Sequence, residues 1–243
     1  MTHELWITGI FNRVLAGPAN AVLNAINFPA KDPANPWSDW LVCEILVFLL
    51  VILLFGYLRA RLSVDRPGKL QHVFELTYEF VHASAEEVVG HAGPRYVAFF
   101  GTIFLFILFM NLIGLIPGFE SPTQFTMVPL GLAVVTFLFY HGAGLRANGA
   151  GYIKQFLGPM LAIAPLMLPI EIISHFARPL SLTIRLYANM FAGETVYLTF
   201  VTLTKVLVPV IFIGLHMFVS FLQAYIFMLL AMVYVGGAVS HEH

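Results

Sequence analysis

The chain has 243 residues, of which 59% are hydrophobic and only 10% are charged, and its formal net charge is −1. A soluble domain carries about 25% charged residues, so this composition excludes an ordinary soluble protein and predicts a polytopic membrane protein. The near-neutral charge gives no indication of a nucleic-acid partner. At about 20 residues per crossing, the length allows roughly five or six membrane helices.

Residues 1–39 are predicted to form an outer-side segment with a helix on the membrane surface. Apolar side chains recur at helical spacing over residues 4–26, a pattern typical of an interfacial amphipathic helix. A loop with Pro33 and Pro36 follows and brings Trp37 and Trp40 to the interface. No basic region precedes an apolar core, so we expect no cleavable signal.

Residues 40–243 are predicted to form a single membrane domain whose first spanning helix covers 40–58. Glu44 in this helix is either a carboxylate that reaches the membrane surface or the mouth of a polar path. A basic cluster follows and marks the cytoplasmic side: Arg59, Arg61, Arg66 and Lys69. Residues 69–90 alternate apolar and acidic groups at helical spacing, which predicts a cytoplasmic interfacial helix.

Four further spanning helices are predicted over 95–116, 124–142, 160–206 and 209–238. The second and third form a hairpin, and Asn111 is the one strongly polar residue of the second. Its amide either bonds a neighbouring helix or lines a path. The fourth stretch would reach about 70 Å as a helix, against roughly 30 Å of hydrocarbon. We therefore expect it to be strongly tilted or broken, with Pro165, Pro169 and Pro179 able to bend it.

The distribution of basic residues predicts that the N-terminus lies outside and the C-terminus in the cytoplasm. Seven basic residues fall inside in this topology: Arg59, Arg61, Arg66, Lys69, Arg95, Arg146 and Lys154. Three fall outside, namely Arg13, Lys31 and Lys205, and two lie within the membrane, namely Arg178 and Arg185.

The intramembrane arginines make residues 171–194 the candidate functional stretch. A guanidinium cannot lose its proton, and its burial in a membrane costs roughly 2.5–3.5 kcal/mol on insertion scales. At 100° per residue, Arg178, Arg185 and Asn189 share one stripe. Glu171 lies about 21 Å before Arg185 along the helix axis, and Glu194 points to the opposite side. Because neither acid can pair with Arg185, the pattern favours a positive barrier between two polar regions.

The last helix repeats this theme, since His216, Gln223 and Tyr234 share a face. If the last two helices pack antiparallel, Glu194 and His216 lie at similar depth, where a carboxylate and an imidazole can pass protons. His175 is either a packed core residue or part of a polar path. Arg178 is predicted to be interfacial or to position Glu171.

The segments RPLSLTIRLYANMFAGE and LQAYIFMLLAMVYV resemble subunit a of the F-type ATP synthase, the stator of the Fo motor. The likeness extends to RPGKLQ and FMNLIGLIPG and covers the chain from about residue 40. The resemblance implies a non-catalytic subunit that gives protons two offset half-channels to a ring of c subunits. The other implied partners are the b subunits of the peripheral stalk, the rest of the complex and the lipid bilayer, in a bacterial cell membrane.

The resemblance also implies the roles of individual residues. Arg185 matches the essential arginine between the half-channels, and Glu194 and His216 match a pair that lines the outer one. Asn111, Asn189 and Gln223 match nearby polar positions; Glu171 matches an acid on the cytoplasmic exit path, and Glu44 one near the outer inlet. Gly114 departs from the pattern, because some members place an acid there, so Glu120 and Glu44 are candidates to replace it.

Two other readings follow from the same residues: an independent channel or secondary transporter, and a structural scaffold. A sodium-coupled form is a variant of the favoured reading. No glycine-rich phosphate loop with Lys and Ser or Thr occurs in the sequence, so we expect no catalytic site for ATP, no bound cofactor and no metal.

Overall fold

The structure is a computed structural model that describes residues 5–25, 27, 30, 32–64, 66–116, 118–149, 151–152, 164–204 and 207–239. Across these residues the chain is helical, and they contain no β-strand. Its helices are α1 (Trp6–Ala25), α2 (Asp39–Arg61), α3 (Lys69–Val89), α4 (Val97–Ile113), α5 (Met127–Asn148), α6 (Ala164–Leu203) and α7 (Leu207–Val239). Short 3-10 helices occupy Gly90–Tyr96 and Pro122–Gln124. The predicted all-α fold is confirmed.

Some predicted features lie outside the described residues. They are the ends of the fourth spanning helix at 160–163 and 205–206, the cytoplasmic tail 240–243, and the basic residues Lys31, Lys154 and Lys205.

Within the described residues, four stretches are long and apolar enough to cross a membrane: Asp39–Arg61, Lys69–Ile113, Met127–Asn148 and Val210–Val239. They overlap the first, second, third and fifth predicted spans, and a polytopic membrane protein is confirmed. The fourth predicted span corresponds to α6, which covers 40 residues and is not among these four stretches.

The helix α6 is continuous from Ala164 to Leu203, with Pro169 and Pro179 inside it. The alternative of a broken helix is therefore wrong for the described residues, because neither proline ends the helical path. A proline removes one hydrogen bond of the ladder, and neighbouring helices can compensate for that loss inside a packed bundle. At 1.5 Å per residue α6 is about 60 Å long, so it can cross a membrane of about 30 Å only with a strong tilt.

The helices α3 and α4 fold back against each other and do not form one continuous helix. The rings of Phe80 and Phe104 lie 6.1 Å apart although they are 24 positions apart in the sequence. The chain reverses through Gly90, whose φ of +76° suits glycine, and through the 3-10 helix. At Gly93 a Cβ would collide with the carbonyl oxygen of Ala85, so only glycine permits this close return.

The helices α6 and α7 pack antiparallel with a regular register. Arg178 lies over the ring of Tyr234, Asn189 bonds Gln223, and Phe200 stacks on Phe212. Each step of eleven residues along α6 is matched by eleven residues back along α7. Eleven residues make about three turns, so the same two helix faces stay in contact over most of their length.

The core lies where α4, α5, α6 and α7 meet. Its largest fully buried side chains include Phe100, Ile107 and Met110 of α4, Tyr140 of α5, Leu186 and Met190 of α6, and Phe227 and Met232 of α7. Close packing of these side chains holds α6 between α5 and α7, so the polar groups on α6 have fixed neighbours.

The helix α1 is fastened to the loop before α2. The side-chain amide of Asn12 donates to the carbonyl of Trp37 at 3.2 Å, and its oxygen accepts from the Trp37 amide at 3.0 Å. Trp6, Ile10 and Val14 remain exposed on the other side. This exposed apolar row agrees with the surface helix predicted for residues 4–26.

Candidate functional site: a cation between two polar clusters

Arg185 lies at the border between the buried and the exposed faces of α6. The buried face carries Leu182 and Leu186, and the exposed face carries Ser181 and Ala188. The half-buried guanidinium forms no hydrogen bond and no ion pair with any residue that the structure describes. Over those residues, the guanidinium of Arg185 is therefore left without a counter-charge.

Apolar packing and one pair of amide side chains separate Arg185 from Glu171 and Glu194 along α6. The Asn189 side chain donates to the Gln223 oxygen at 2.7 Å, one helical turn beyond the arginine. By the register of the two helices, the buried Phe227 lies opposite Arg185 on α7. Asn189 and Gln223, both predicted near the arginine, thus bond each other and do not neutralise it.

Beyond this pair, Glu194 faces the connection between α4 and α5. Its carboxyl group lies near the Gln124 side chain, the Ser121 backbone and Glu120. Its atom Oε2 is buried without a hydrogen-bond partner. A buried carboxylate oxygen that is left unpaired marks a place where water or a passing proton can be accepted.

His216 lies at the level of Glu194, as the antiparallel packing predicts. A Cβ added at Gly193 would stand 2.7 Å from Nδ1 of His216. The Nδ1 atom is buried and unpaired, and so is the hydroxyl of Ser220 one turn further along α7. No hydrogen bond links the described side chains of Glu194 and His216 to each other.

Asn111 extends this outer cluster into α4. Its amide nitrogen donates to the carbonyl oxygen of Ser220 at 3.2 Å, and its oxygen accepts from the Thr123 hydroxyl at 2.6 Å. The Ser121 hydroxyl lies 2.8 Å from that of Thr123. Of the two alternatives for Asn111, bonding between helices is confirmed, and the bonds also place it beside the unpaired atoms.

The other two acids predicted as candidates on this side are Glu120 and Glu44. Burial and then the nearby Asp39 raise the pKa of Glu120 in the loop above its usual range. The carboxyl of Glu120 also lies near that of Glu194. Glu44 is half-buried in α2 and bonds no other described side chain, so its contribution to an inlet stays a prediction.

A second polar cluster lies before Arg185, between α5 and α6. The Glu171 oxygen Oε1 is 3.5 Å from Nε2 of His175, and Nδ1 of His175 is 2.8 Å from the Tyr140 hydroxyl. His141 lies 2.8 Å from the Tyr152 hydroxyl, and its ring is 5.1 Å from that of His175. His175 is thus a packed core residue that also belongs to a polar cluster, and its part in a polar path stays a prediction.

Arg178 is held by aromatic rings and does not pair with Glu171. Its guanidinium carbon lies 5.8 Å from the ring centre of Tyr140 and 5.1 Å from that of Tyr234. Cation–π contacts of this kind contribute about 0.5–2 kcal/mol. Arg178 thus lies between aromatic rings of α5 and α7, and its predicted position at the membrane interface stays a prediction.

Comparison with known proteins decides the family. The family model described as ATP synthase A chain matches residues 41–236. ATP synthase subunit a of Solibacter usitatus (strain Ellin6076) is 57% identical over 235 residues, which cover 96% of this chain and 100% of that protein. The subunit a of Koribacter versatilis (strain Ellin345) is 53% identical over 244 residues and covers 100% of both chains.

This chain belongs to the ATP synthase A chain family. The resemblance inferred from the sequence is confirmed, and the match spans α2 to α7. A more distant relative, ATP synthase subunit a of Aquifex aeolicus (strain VF5), is 42% identical over 186 residues and covers 73% of this chain and 86% of its own. Family membership and the apolar helices both indicate a multi-pass membrane protein that takes part in ATP synthesis and ion transport.

Several residues of the two clusters were not predicted from the sequence. In the outer cluster they are Ser121, Thr123, Gln124 and Ser220; in the other cluster they are Tyr140, His141 and Tyr152. A local signal existed for the first group, because the polar run Ser121–Gln124 interrupts two apolar helices. Tyr140 and His141 gave a weaker signal, as two adjacent polar groups near the end of an apolar helix.

The described residues contain no group of three or more His, Cys, Asp or Glu side chains placed to hold a metal ion. The clusters consist instead of single carboxyls, imidazoles, hydroxyls and amides. Groups of these types exchange protons or order water.

Proposed function

We propose that this chain is the proton-translocating stator subunit of an F-type ATP synthase. The observation that carries the proposal is the position of Arg185, uncompensated among the described residues and flanked by two separate polar clusters. Glu171 and Glu194 are 23 residues apart on one helix, which is about 35 Å. A continuous water path between them would have to pass the fixed positive charge.

The exposed side of α6 suits a moving helical partner. Beside Arg185 it carries a row of small exposed side chains: Ser174, Ala177, Ser181, Ala188, Ala192, Thr195 and Thr199. Small side chains let another helix approach closely within a membrane. A carboxylate on that helix would supply the counter-charge that this chain does not give to Arg185. The partner we propose is the ring of c subunits, with the b subunits and the rest of the complex holding this chain in place.

In the proposed mechanism, a proton enters through the outer cluster past Glu194 and His216 and neutralises a c-subunit carboxylate. The neutral site moves away through lipid and, after nearly a full rotation, reaches the cluster around Glu171, where it releases the proton. Arg185 attracts the ionised site and blocks direct leakage. At an effective dielectric constant near 20 the attraction at 4 Å is about 4 kcal/mol. The driving force of about 2.3 kcal/mol per charge and 100 mV is comparable, so the site can leave.

The orientation and location belong to the same proposal. The exposed basic cluster Arg59, Arg61, Arg66 and Lys69 supports a cytoplasmic position for the loop after α2. The N-terminus would then lie outside a bacterial cell membrane and the C-terminus in the cytoplasm. ATP chemistry would take place on other subunits, and this chain would be non-catalytic.

The decisive experiment replaces Arg185 by alanine in the assembled complex. We expect ATP-driven proton pumping in inverted membrane vesicles to fall to background, while the complex still co-purifies. Arg146→Ala is the matched control, because Arg146 is an exposed basic residue in the last turn of α5. Near-normal pumping by Arg185→Ala, with the control also normal, would refute the assignment.

The alternatives give different results in related assays. An independent channel would conduct ions when the purified chain is reconstituted alone, whereas the stator would need its ring. A sodium-coupled form would show pumping that depends on Na⁺ and persists when a protonophore abolishes the proton gradient. A scaffold would tolerate Arg185→Leu without loss of pumping.

A further inference from the structure

The polar cluster between α5 and α6 contains a chain of three side chains with a defined order. The Tyr140 hydroxyl lies 2.8 Å from Nδ1 of His175, and Nε2 of the same imidazole lies 3.5 Å from Oε1 of Glu171. Tyr140 is 1% exposed and His175 9% exposed, while Glu171 is half-buried. The series of contacts therefore runs from Tyr140 in the core of the bundle to the more exposed carboxyl group of Glu171.

The neighbours on the two sides of His175, Glu171 and Tyr140, favour the same tautomer of its neutral imidazole. An ionised carboxylate can only accept, so the 3.5 Å approach of Nε2 to Oε1 of Glu171 favours a proton on Nε2. At the other end, the guanidinium of Arg178 lies beside Tyr140. A positive charge favours the tyrosine oxygen facing it and the hydroxyl hydrogen pointing away. The Tyr140 hydroxyl then donates to Nδ1, which must be unprotonated.

The other polar groups that the structure describes near His175 are compatible with this tautomer. From α5 it meets His141, whose own Nδ1 lies 2.8 Å from the Tyr152 hydroxyl. From α7, Tyr234 lies against Tyr140 and Arg178. Glu171 is thus the one carboxylate among the described groups that faces His175, and Arg178 is the one permanent cation.

We propose that Tyr140 is a positioning residue for the route on the Glu171 side of Arg185. Its hydroxyl fixes His175 in the tautomer that carries the proton on Nε2, and the Nε2–H group holds the Glu171 carboxylate toward the path. This inference rests on the proposed function, because it assigns a task within one of the two half-channels. The residue that meets the proton is Glu171; Tyr140 acts through His175.

The first test combines transport with spectroscopy on the assembled complex. Tyr140→Phe should slow ATP-driven proton pumping about three- to tenfold, the range expected for the loss of one hydrogen bond. Nitrogen-15 NMR of histidine-labelled complex should show one tautomer for His175 in the parent and a mixture in Tyr140→Phe, with His175→Gln identifying the signal. Tyr187→Phe, which removes a hydroxyl elsewhere on α6, should change neither readout.

The second test asks whether the effect passes through His175. A glutamine at this position can still donate an N–H group to Glu171, so His175→Gln should pump better than His175→Leu. Adding Tyr140→Phe to His175→Gln should produce no further loss. Unchanged pumping or an unchanged tautomer in Tyr140→Phe, or equal pumping by the glutamine and leucine variants, would overturn the inference.

The Arg185 experiment separates this inference from the proposed function. If Arg185→Ala abolishes pumping while Tyr140→Phe behaves like the parent, only the positioning role is wrong. If Arg185→Ala pumps normally, the stator assignment itself is wrong.

Discussion

The contact between Gly193 and His216 permits a sharp prediction about the outer cluster. In Gly193→Ala the new Cβ would stand 2.7 Å from Nδ1 of His216, whereas ordinary contacts begin at 3.4 Å. The imidazole must therefore retreat by about 0.7 Å. Overpacking of this kind costs about 1–3 kcal/mol, and alanine regains about 1 kcal/mol of helix propensity over glycine. We expect the net loss of stability to be about 0–2 kcal/mol.

The effect on transport should be larger than the effect on stability. A shift of about 1 Å in a reacting group can reduce a rate by about a hundredfold, so a tenfold loss of proton pumping is expected for the smaller shift. Pumping in inverted vesicles and thermal denaturation of the purified complex measure the two effects. Gly56→Ala is the control, because a Cβ there meets nothing within 4 Å.

A double variant tests whether displacement of the His216 imidazole causes the loss of pumping in Gly193→Ala. In a His216→Ala background the added methyl group has no ring to displace, so Gly193→Ala should cause no further loss. The reasoning fails if Gly193→Ala pumps at the parental rate, or if its loss is as large without the imidazole as with it.

Two further predictions concern the acids of the outer side. Glu194→Gln should slow proton pumping, because the amide cannot accept and release a proton. His216→Ala should alter the pH dependence of pumping. A pH series of vesicle assays in which both variants match the parent would contradict the proposed role of this pair. Since burial and the neighbouring Asp39 raise the pKa of Glu120, its ionised form destabilises the fold above the usual value of 4.5. Glu120→Gln should therefore raise the thermal stability of the complex at pH 7 to 8, and this gain should vanish as the pH falls toward 4.5; a pH-independent gain would contradict the stated cause.

The sequence by itself predicted the features that depend on the helical period. The common stripe of Arg178, Arg185 and Asn189, and the separation of Glu171 from Glu194, follow from 100° and 1.5 Å per residue. The prediction that Glu194 and His216 lie at similar depth needed only one further assumption, namely that consecutive helices joined by a short turn pack antiparallel. Local geometry of this kind does not depend on the rest of the fold.

The prolines of α6 left its continuity undecided at the level of the sequence, and the fold decides it. Pro169 and Pro179 are compatible with a kink, a break or a continuous helix. In the structure α6 continues through both, packed between α5 and α7. Packing over three helices outweighs the loss of single ladder bonds, and propensity alone cannot supply that comparison.

Composition and helical period were thus enough to determine a membrane protein with long helices and an arginine that its own helix leaves without a counter-charge. Only the tertiary structure decided which distant groups surround the two acids: the Ser121–Gln124 segment at Glu194, and Tyr140 with His175 at Glu171. The physical reason is that positions within a helix are fixed by its hydrogen-bonded geometry, whereas contacts between helices depend on how side chains from remote parts of the chain fill the same space.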